Sequence, residues 1–102
     1  MTVTSHCNKD DSLTISIDGK FDFQCHADFR EAYEHDNKIH EKYIVDLTKA
    51  TSIDSSALGM LLLLRDHSGG ENSVEIAHSD NDISRILEIS NFESLFVLRE
   101  TV

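Results

Sequence analysis

The segment Ala57-Leu58-Gly59-Met60-Leu61-Leu62-Leu63-Leu64-Arg65-Asp66-His67 is apolar on nearly every face when wound as a helix. Such a helix has to be buried against a sheet on one side and covered, or left for a partner, on another. Gly69-Gly70 supplies its stop, because glycine takes the left-handed conformation that ends helices. Its start is less usual: Asp54-Ser55-Ser56 offers three successive residues suited to capping. At about 1.5 Å per residue the apolar run is far too short to span a bilayer, which needs ~20 residues.

The rest of the chain provides a sheet for this helix. Met1, Val3, Ser5 and Cys7 alternate with polar neighbours, Asn8-Lys9-Asp10-Asp11 reads as a turn, and Leu13, Ile15 and Ile17 alternate again, so a β-hairpin is expected, closed by Gly19. Cys25, Phe29, Ala32 and Tyr33 recur at helical spacing and predict a first helix over Gln24 to His35. Tyr43-Ile44-Val45, ending at Asp46, reads as a buried central strand, and the strand–helix–strand order implies a right-handed parallel crossover. Ser73 to Ala77 is a further strand. A last helix is expected after Ser79, with Ser79 and Asp82 as an acidic capping box and Ile83, Ile86, Leu87 and Ser90 on its inner side. Leu95 and Phe96 return to the core, and Phe96-Val97-Leu98 forms the last short strand.

The 102 residues contain nine Lys and Arg against nineteen Asp and Glu, for a net charge of −10. A chain of this length holds one hydrophobic core, so residues 1–102 are expected to form one domain. The negative field opposes phosphate backbones and anionic lipid surfaces, which disfavours direct nucleic-acid or membrane binding. The N-terminus lacks the cationic start and apolar stretch of a signal peptide, and two cysteines, Cys7 and Cys25, fit reduced thiols; a cytoplasmic location is expected.

Catalytic motifs that cradle phosphates or present a nucleophile elbow are missing from the sequence. The histidines, His6, His26, His35, His40, His67 and His78, include no i, i+4 pair and no C-x-x-C accompanies them, so no metal site is expected from spacing. Cys25 reads as an apolar position rather than a reactive thiol. Ser55 and Ser56 remain. One of them as a simple helix cap accounts for the composition; a phosphorylation switch is the sharper alternative. A phosphoserine of about −1.5 to −2 charges is accommodated by the positive end of a helix, while a docking surface around it acquires an anion that a partner must desolvate.

Tyr43-Ile44-Val45-Asp46-Leu47 followed by Ser52-Ile53-Asp54-Ser55-Ser56-Ala57-Leu58-Gly59 resembles the signature of STAS domains, specifically of bacterial anti-anti-sigma factors (anti-sigma factor antagonists). Gly19-Lys20-Phe21-Asp22 is similar to the family's G-x-x-D, and Gly69-Gly70 and Ile83-Ser84-Arg85-Ile86-Leu87 with Phe92 and Leu95-Phe96 to its later glycines and closing helix. The resemblance implies an α/β fold: a STAS-like single domain with a mixed four- to five-stranded sheet and helices packed mainly on one face. It also implies a phosphoacceptor at Ser55, with Ser56 next in line, and a partner-binding set of Asp22, Asp54, Ala57, Leu58 and Met60. The implied partners are an anti-sigma factor with a kinase-type ATP-binding fold, which the unphosphorylated form binds to free the sigma factor, and a metal-dependent serine phosphatase. ATP and Mg²⁺ belong to those partners, so no cofactor and no catalytic residue is assigned to this chain. Ala57 stands where many members have Gly, which is expected to add a methyl to the docking surface.

Two alternatives compete. The same fold serves as a regulatory subunit of a non-sigma target or of a lipid-transport ABC complex, where a partner is held continuously. An esterase-like enzyme would need Ser55 as nucleophile with His78 or His26 as base.

Overall fold

The computed structural model describes residues 2–34, 40–69, 73–78, 81–91 and 96–100. Strand β1 (Thr2–Cys7) turns through Asn8 to Ser12 into β2 (Leu13–Phe21), and the two pair antiparallel with Val3 opposite Ile17 and Cys7 opposite Leu13. The expected hairpin is present. A 3-10 turn (Phe23–Cys25) and helix α1 (His26–Glu34) then carry the chain to β3 (Tyr43–Ile53), parallel to β2. Helix α2 (Ser55–Ser68), β4 (Val74–His78), α3 (Asn81–Ile89) and β5 (Val97–Glu100) complete a five-stranded sheet in the order β1-β2-β3-β4-β5, parallel throughout except at β1.

Three successive parallel strands, each reached through a helix and each added on the same side, put the helices on one face when the crossovers are right-handed. Ring contacts tie two of those helices together beneath that face. Phe21 of β2 meets Phe29 of α1 at 5.2 Å, Phe29 meets Tyr33 at 5.7 Å, and Tyr33 and Tyr43 of β3 flank His67 of α2 at 4.9 and 6.0 Å. Leu13, Ile15, Ile17, Val45, Leu61, Leu64, Ile83 and Leu87 fill the same core. On the opposite face Thr14, Ser16, Ile44, Asp46 and Thr48 stay partly exposed.

Two strands run further than the sequence pattern implies. β2 continues past Gly19, which takes φ 98° inside the strand instead of closing it; a residue without Cβ accepts this conformation at no steric cost. β3 continues from Asp46 to Ile53, with eleven residues against nine in β2. The difference is absorbed where the register shifts between Ser16/Asp18 and Gly19/Lys20, each time with an extra residue on β3. Buried positions in β3 accordingly fall at Tyr43, Val45, Leu47, Ala50 and Ile53, so the inward period of two becomes three. At the first irregularity the Asp46 carboxylate accepts from the Thr48 N–H (2.9 Å) and hydroxyl (2.6 Å).

Other boundaries move less. α1 starts at His26 after the 3-10 turn rather than at Gln24, β4 spans Val74–His78 rather than 73 to 77, and β5 spans Val97–Glu100. β4 is buried on both faces, and Glu75 within it is neutralised from the neighbouring chain segments by Lys42 (3.3 Å) and Arg99 (3.2 Å). Ile83 and Leu87 face inward from α3 as expected; the Ser79 cap and the core roles of Phe92 and Leu95 lie outside the described residues. Among the described residues no helix is long and apolar enough to cross a membrane.

The apolar character of α2 divides into an inward and an outward set. Leu61 and Leu64 are fully buried, whereas Leu62 and Leu63 are 42% and 56% exposed. Leu61→Ala is expected to destabilise by about 2–5 kcal/mol through lost burial and a residual cavity, and Leu62→Ala by under ~1 kcal/mol, as read from urea unfolding of the two variants.

Candidate functional site

The site grows from two adjacent strand ends. Phe21 of β2 and Ile53 of β3 are register partners, so the next residues but for no insertion, Asp22 and Asp54, leave the sheet side by side at the carboxyl ends of parallel strands. Ligands and partners of open α/β sheets gather at this end. Each aspartate has extended backbone and opens a helical segment: the Asp22 carboxylate accepts from the Gln24 N–H at 3.0 Å, and the Asp54 carboxylate from the Ala57 N–H at 3.0 Å. The helix cap is therefore Asp54, not a serine.

This leaves the two hydroxyls in different states. Ser56, half-buried, donates to the Asp54 carboxylate at 2.6 Å. Ser55, at the first helical position, is exposed, and among the described residues its hydroxyl has no hydrogen-bond partner. Neither hydroxyl is hydrogen-bonded to a histidine among the described residues. The Ser56 hydroxyl, first, and the Ala57 N–H hold the Asp54 carboxyl below its ordinary value of 3.8. Asp54 is thus a carboxylate at neutral pH, set against the positive end of α2.

The five residues expected to meet a partner separate on burial. Asp22 and Asp54 reach solvent and Leu58 is partly exposed against the core. Ala57 is wholly buried and Met60 is 5% exposed, which corrects their assignment to a docking surface: both point from α2 into the core. The Ala57 methyl accordingly fills core volume rather than adding to a contact face. Met60 contributes only to the lining of a groove of about 300 Å³ between α1 and α2, with Phe29, Tyr33 and Leu63. Exposed apolar side chains that the sequence pattern does not single out include Leu62, Leu63, Ile89 of α3 and Phe23, the last 66% exposed and stacked on His26 at 5.3 Å. Cys25 is fully buried, donates to the Lys20 carbonyl at 3.3 Å, and burial pushes its thiol pKa up, as its apolar position implies.

Gly59 stands out within α2. A Cβ built there meets nothing within 4 Å, so neither core packing nor neighbouring helices require glycine at this position. Glycine inside a helix costs about 1 kcal/mol relative to alanine.

Comparison with known proteins places this geometry. The family model described as "Mlab, STAS domain" matches residues 6–99. The chain belongs to the STAS domain family. The STAS-domain containing protein PA14_20770 of Pseudomonas aeruginosa (strain UCBPP-PA14) is 58% identical over 85 residues, which is 82% of this chain and 84% of that protein. Among solved structures, the anti-sigma factor antagonist SpoIIAA in its unphosphorylated form superposes with a TM-score of 0.67 at 13% identity, covering 99% of this chain and 90% of that one. The protein TM1081, solved by NMR, gives a TM-score of 0.74 at 19% identity, covering 99% and 82%. At these identities the solved structures establish the shared fold: a mixed five-stranded sheet with three helices, as the STAS resemblance implies.

Asp54→Ala is expected to lower the unfolding free energy by about 1 kcal/mol at neutral pH. Because the folded carboxyl titrates below the ordinary carboxylate value, its contribution is complete above that value. It is lost as the pH falls through the lowered one. Urea unfolding of both proteins at neutral and strongly acid pH checks this: the two curves converge on the acid side.

Proposed function

We infer that this STAS domain is a phosphorylation-switched binding protein, an anti-sigma factor antagonist whose unphosphorylated form sequesters a serine-kinase anti-sigma factor and frees the sigma factor. The carrying observation is the exposed, uncommitted Ser55 hydroxyl directly after an aspartate that has taken over the capping role. The cap does not depend on this hydroxyl, so esterifying it leaves the Asp54–Ala57 bond in place. Ser56 is the less suited acceptor, since its modification replaces the proton it donates to Asp54 by a dianion beside a carboxylate.

The switch works by charge. On the unmodified protein, Leu58, Leu62 and Leu63 offer apolar area on the helix that Ser55 opens, with Asp22 and Asp54 marking its acidic end. A phosphoserine at position 55 adds about −1.5 to −2 charges, partly offset by the helix N-terminus, to a chain already at −10. A partner surface fitted to the neutral hydroxyl then has to desolvate that anion. ATP and Mg²⁺ are supplied by the partner kinase, and a metal-dependent serine phosphatase resets the state; the chain itself performs no chemistry, and the exchange takes place in the cytoplasm. Gly59 fits this reading, because the absent side chain lets another backbone approach α2 closely.

A second reading is favoured by the exposure of Leu62 and Leu63: a regulatory subunit of a non-sigma target or lipid-transport ABC complex, with the apolar strip covered continuously. Co-purification separates the two. A labile complex that ATP disperses supports the switch, and a stable complex with a transporter ATPase supports the subunit.

Incubation with the cognate kinase and ATP is expected to place phosphate on Ser55, seen by mass spectrometry, and to weaken partner binding at least about tenfold, or 1.4 kcal/mol. Ser55→Ala binds constitutively, and Ser55→Asp binds more weakly than Ser55→Ala. Phosphate on neither serine contradicts the mechanism, and phosphate on Ser56 alone reassigns the acceptor. Gly59→Ala is expected to raise stability by up to ~1 kcal/mol while reducing partner affinity; a more stable variant that binds the partner equally well contradicts the close approach at Gly59.

A further inference from the structure

The end of the sheet away from Ser55 gathers a second group of reactive side chains that the switch does not use. Cys7 closes β1, Asp11 lies in the turn to β2, and His40 precedes β3. Parallel pairing of β2 with β3, with Leu13 opposite Tyr43 and the Leu13 N–H bonded to the Lys42 carbonyl at 3.0 Å, brings His40 beside the hairpin turn from 29 positions away. One donor atom from each of Cys7, Asp11 and His40 lies within 4.8 Å of the other two.

These are a thiol, a carboxylate and an imidazole, the three side-chain types from which zinc sites are made. The imidazole is the anchor. Its side chain is wholly buried, Nδ1 donates to the Asp11 carbonyl at 2.9 Å, and the Asp11 carboxylate stands 3.6 Å from the same nitrogen. The Tyr43 hydroxyl accepts from the His40 N–H at 3.0 Å and the Tyr43 ring packs edge-on against the imidazole at 5.6 Å. The ring nitrogen that faces the Asp11 carboxylate is thus the one bonded to a backbone carbonyl, so a cation bound there replaces that N–H bond while the burial of the ring holds its position. A neutral imidazole offers one nitrogen lone pair, and tautomerisation decides which ring nitrogen carries it.

We propose that Cys7, Asp11 and His40 form a binding site for a borderline-soft divalent cation of the zinc type. Bond lengths of about 2.3 Å to sulfur and 2.0–2.1 Å to nitrogen and oxygen put tetrahedral ligand atoms about 3.5 Å apart, so the cluster has to contract by about 1 Å. Cys7 is exposed and Asp11 half exposed, so the contraction falls on side chains at the surface while the buried imidazole stays in place. Binding releases the Cys7 thiol proton to solvent, and the resulting thiolate and the Asp11 carboxylate together neutralise the dication. Water completes the tetrahedron from the solvent side. The chain's charge of −10 draws cations toward such a site.

The test uses the full, tag-free chain stripped with a chelator and titrated with Zn²⁺ against a chromophoric competitor, and separately with Co²⁺. One ion per chain and a sulfur-to-cobalt charge-transfer band in the near ultraviolet are expected. The only other thiol, Cys25, is fully buried, so the band reports Cys7. Cys7→Ser is expected to abolish the band and weaken Zn²⁺ binding at least about tenfold. Asp11→Asn, which keeps a residue tolerant of the φ of 70° found there, is expected to weaken Zn²⁺ binding as well. Ser55→Ala binds Zn²⁺ as the unsubstituted chain does. Absence of saturable binding in the unsubstituted chain, or Zn²⁺ affinity unchanged in Cys7→Ser or in Asp11→Asn, overturns the site.

Discussion

The Asp54 carboxylate is the hinge of this structure in the chemical sense: one oxygen accepts both the Ala57 N–H and the Ser56 hydroxyl. That arrangement starts α2 with a single residue between it and the end of β3, which seats Ala57, Met60, Leu61 and Leu64 in the core and leaves Ser55 outside it. Were a serine the cap, its hydroxyl would be committed to the helix backbone, and modifying it would loosen the element that a partner has to recognise. Delegating the cap to a carboxylate leaves the adjacent hydroxyl of Ser55, the proposed phosphoacceptor, with no part in holding the helix start. The extra length of β3 serves the same end, since its two bulges carry the strand to Ile53 beside Phe21 and so bring Asp54 level with Asp22.

The outward side of α2 shows what the fold leaves undone. Leu62 and Leu63 remain exposed, and Gly59 keeps a gap that the fold itself does not require. Exposed apolar side chains near an acidic helix start suit a partner that binds by burial and is dismissed by charge. The hydrophobic term depends on apolar area removed from water, whereas an added dianion acts only once the interface excludes that water. The proposed phosphate at Ser55 would therefore act on docking while the core, lined from Phe21 to Tyr43 by tilted and edge-on rings, is left as it was.

Much of this was legible in the chain. An all-apolar helix between a capping triplet and Gly69 fixed α2, and alternation at Leu13, Ile15 and Ile17 fixed the hairpin, because in both places side-chain period and backbone geometry agree. Where a bulge intervenes they cease to agree: Leu47, Ala50 and Ile53 are three apart, so the second half of β3 carries no period of two to recognise. Gly19 was misleading for a related reason, as its positive φ sits inside a strand and not at its end. The docking residues suffered from the opposite problem. A helix apolar on nearly every face has no continuous polar stripe to say which side is in, so the pattern does not separate Ala57 and Met60, which face inward, from Leu62 and Leu63, which face outward. The Cys7, Asp11 and His40 cluster has no local spacing at all, since strand pairing alone assembles it.

The central claim is that modification of Ser55 changes what α2 binds without changing how α2 is folded. Amide hydrogen exchange on the protein carrying genetically encoded phosphoserine at position 55, beside the unmodified protein, tests it most directly. Unchanged protection at the Leu61 and Leu64 amides, with any difference confined to the first turn of α2, is the predicted result. Loss of protection along the whole of α2 would contradict the account, because phosphorylation would then act by unfolding the recognition element.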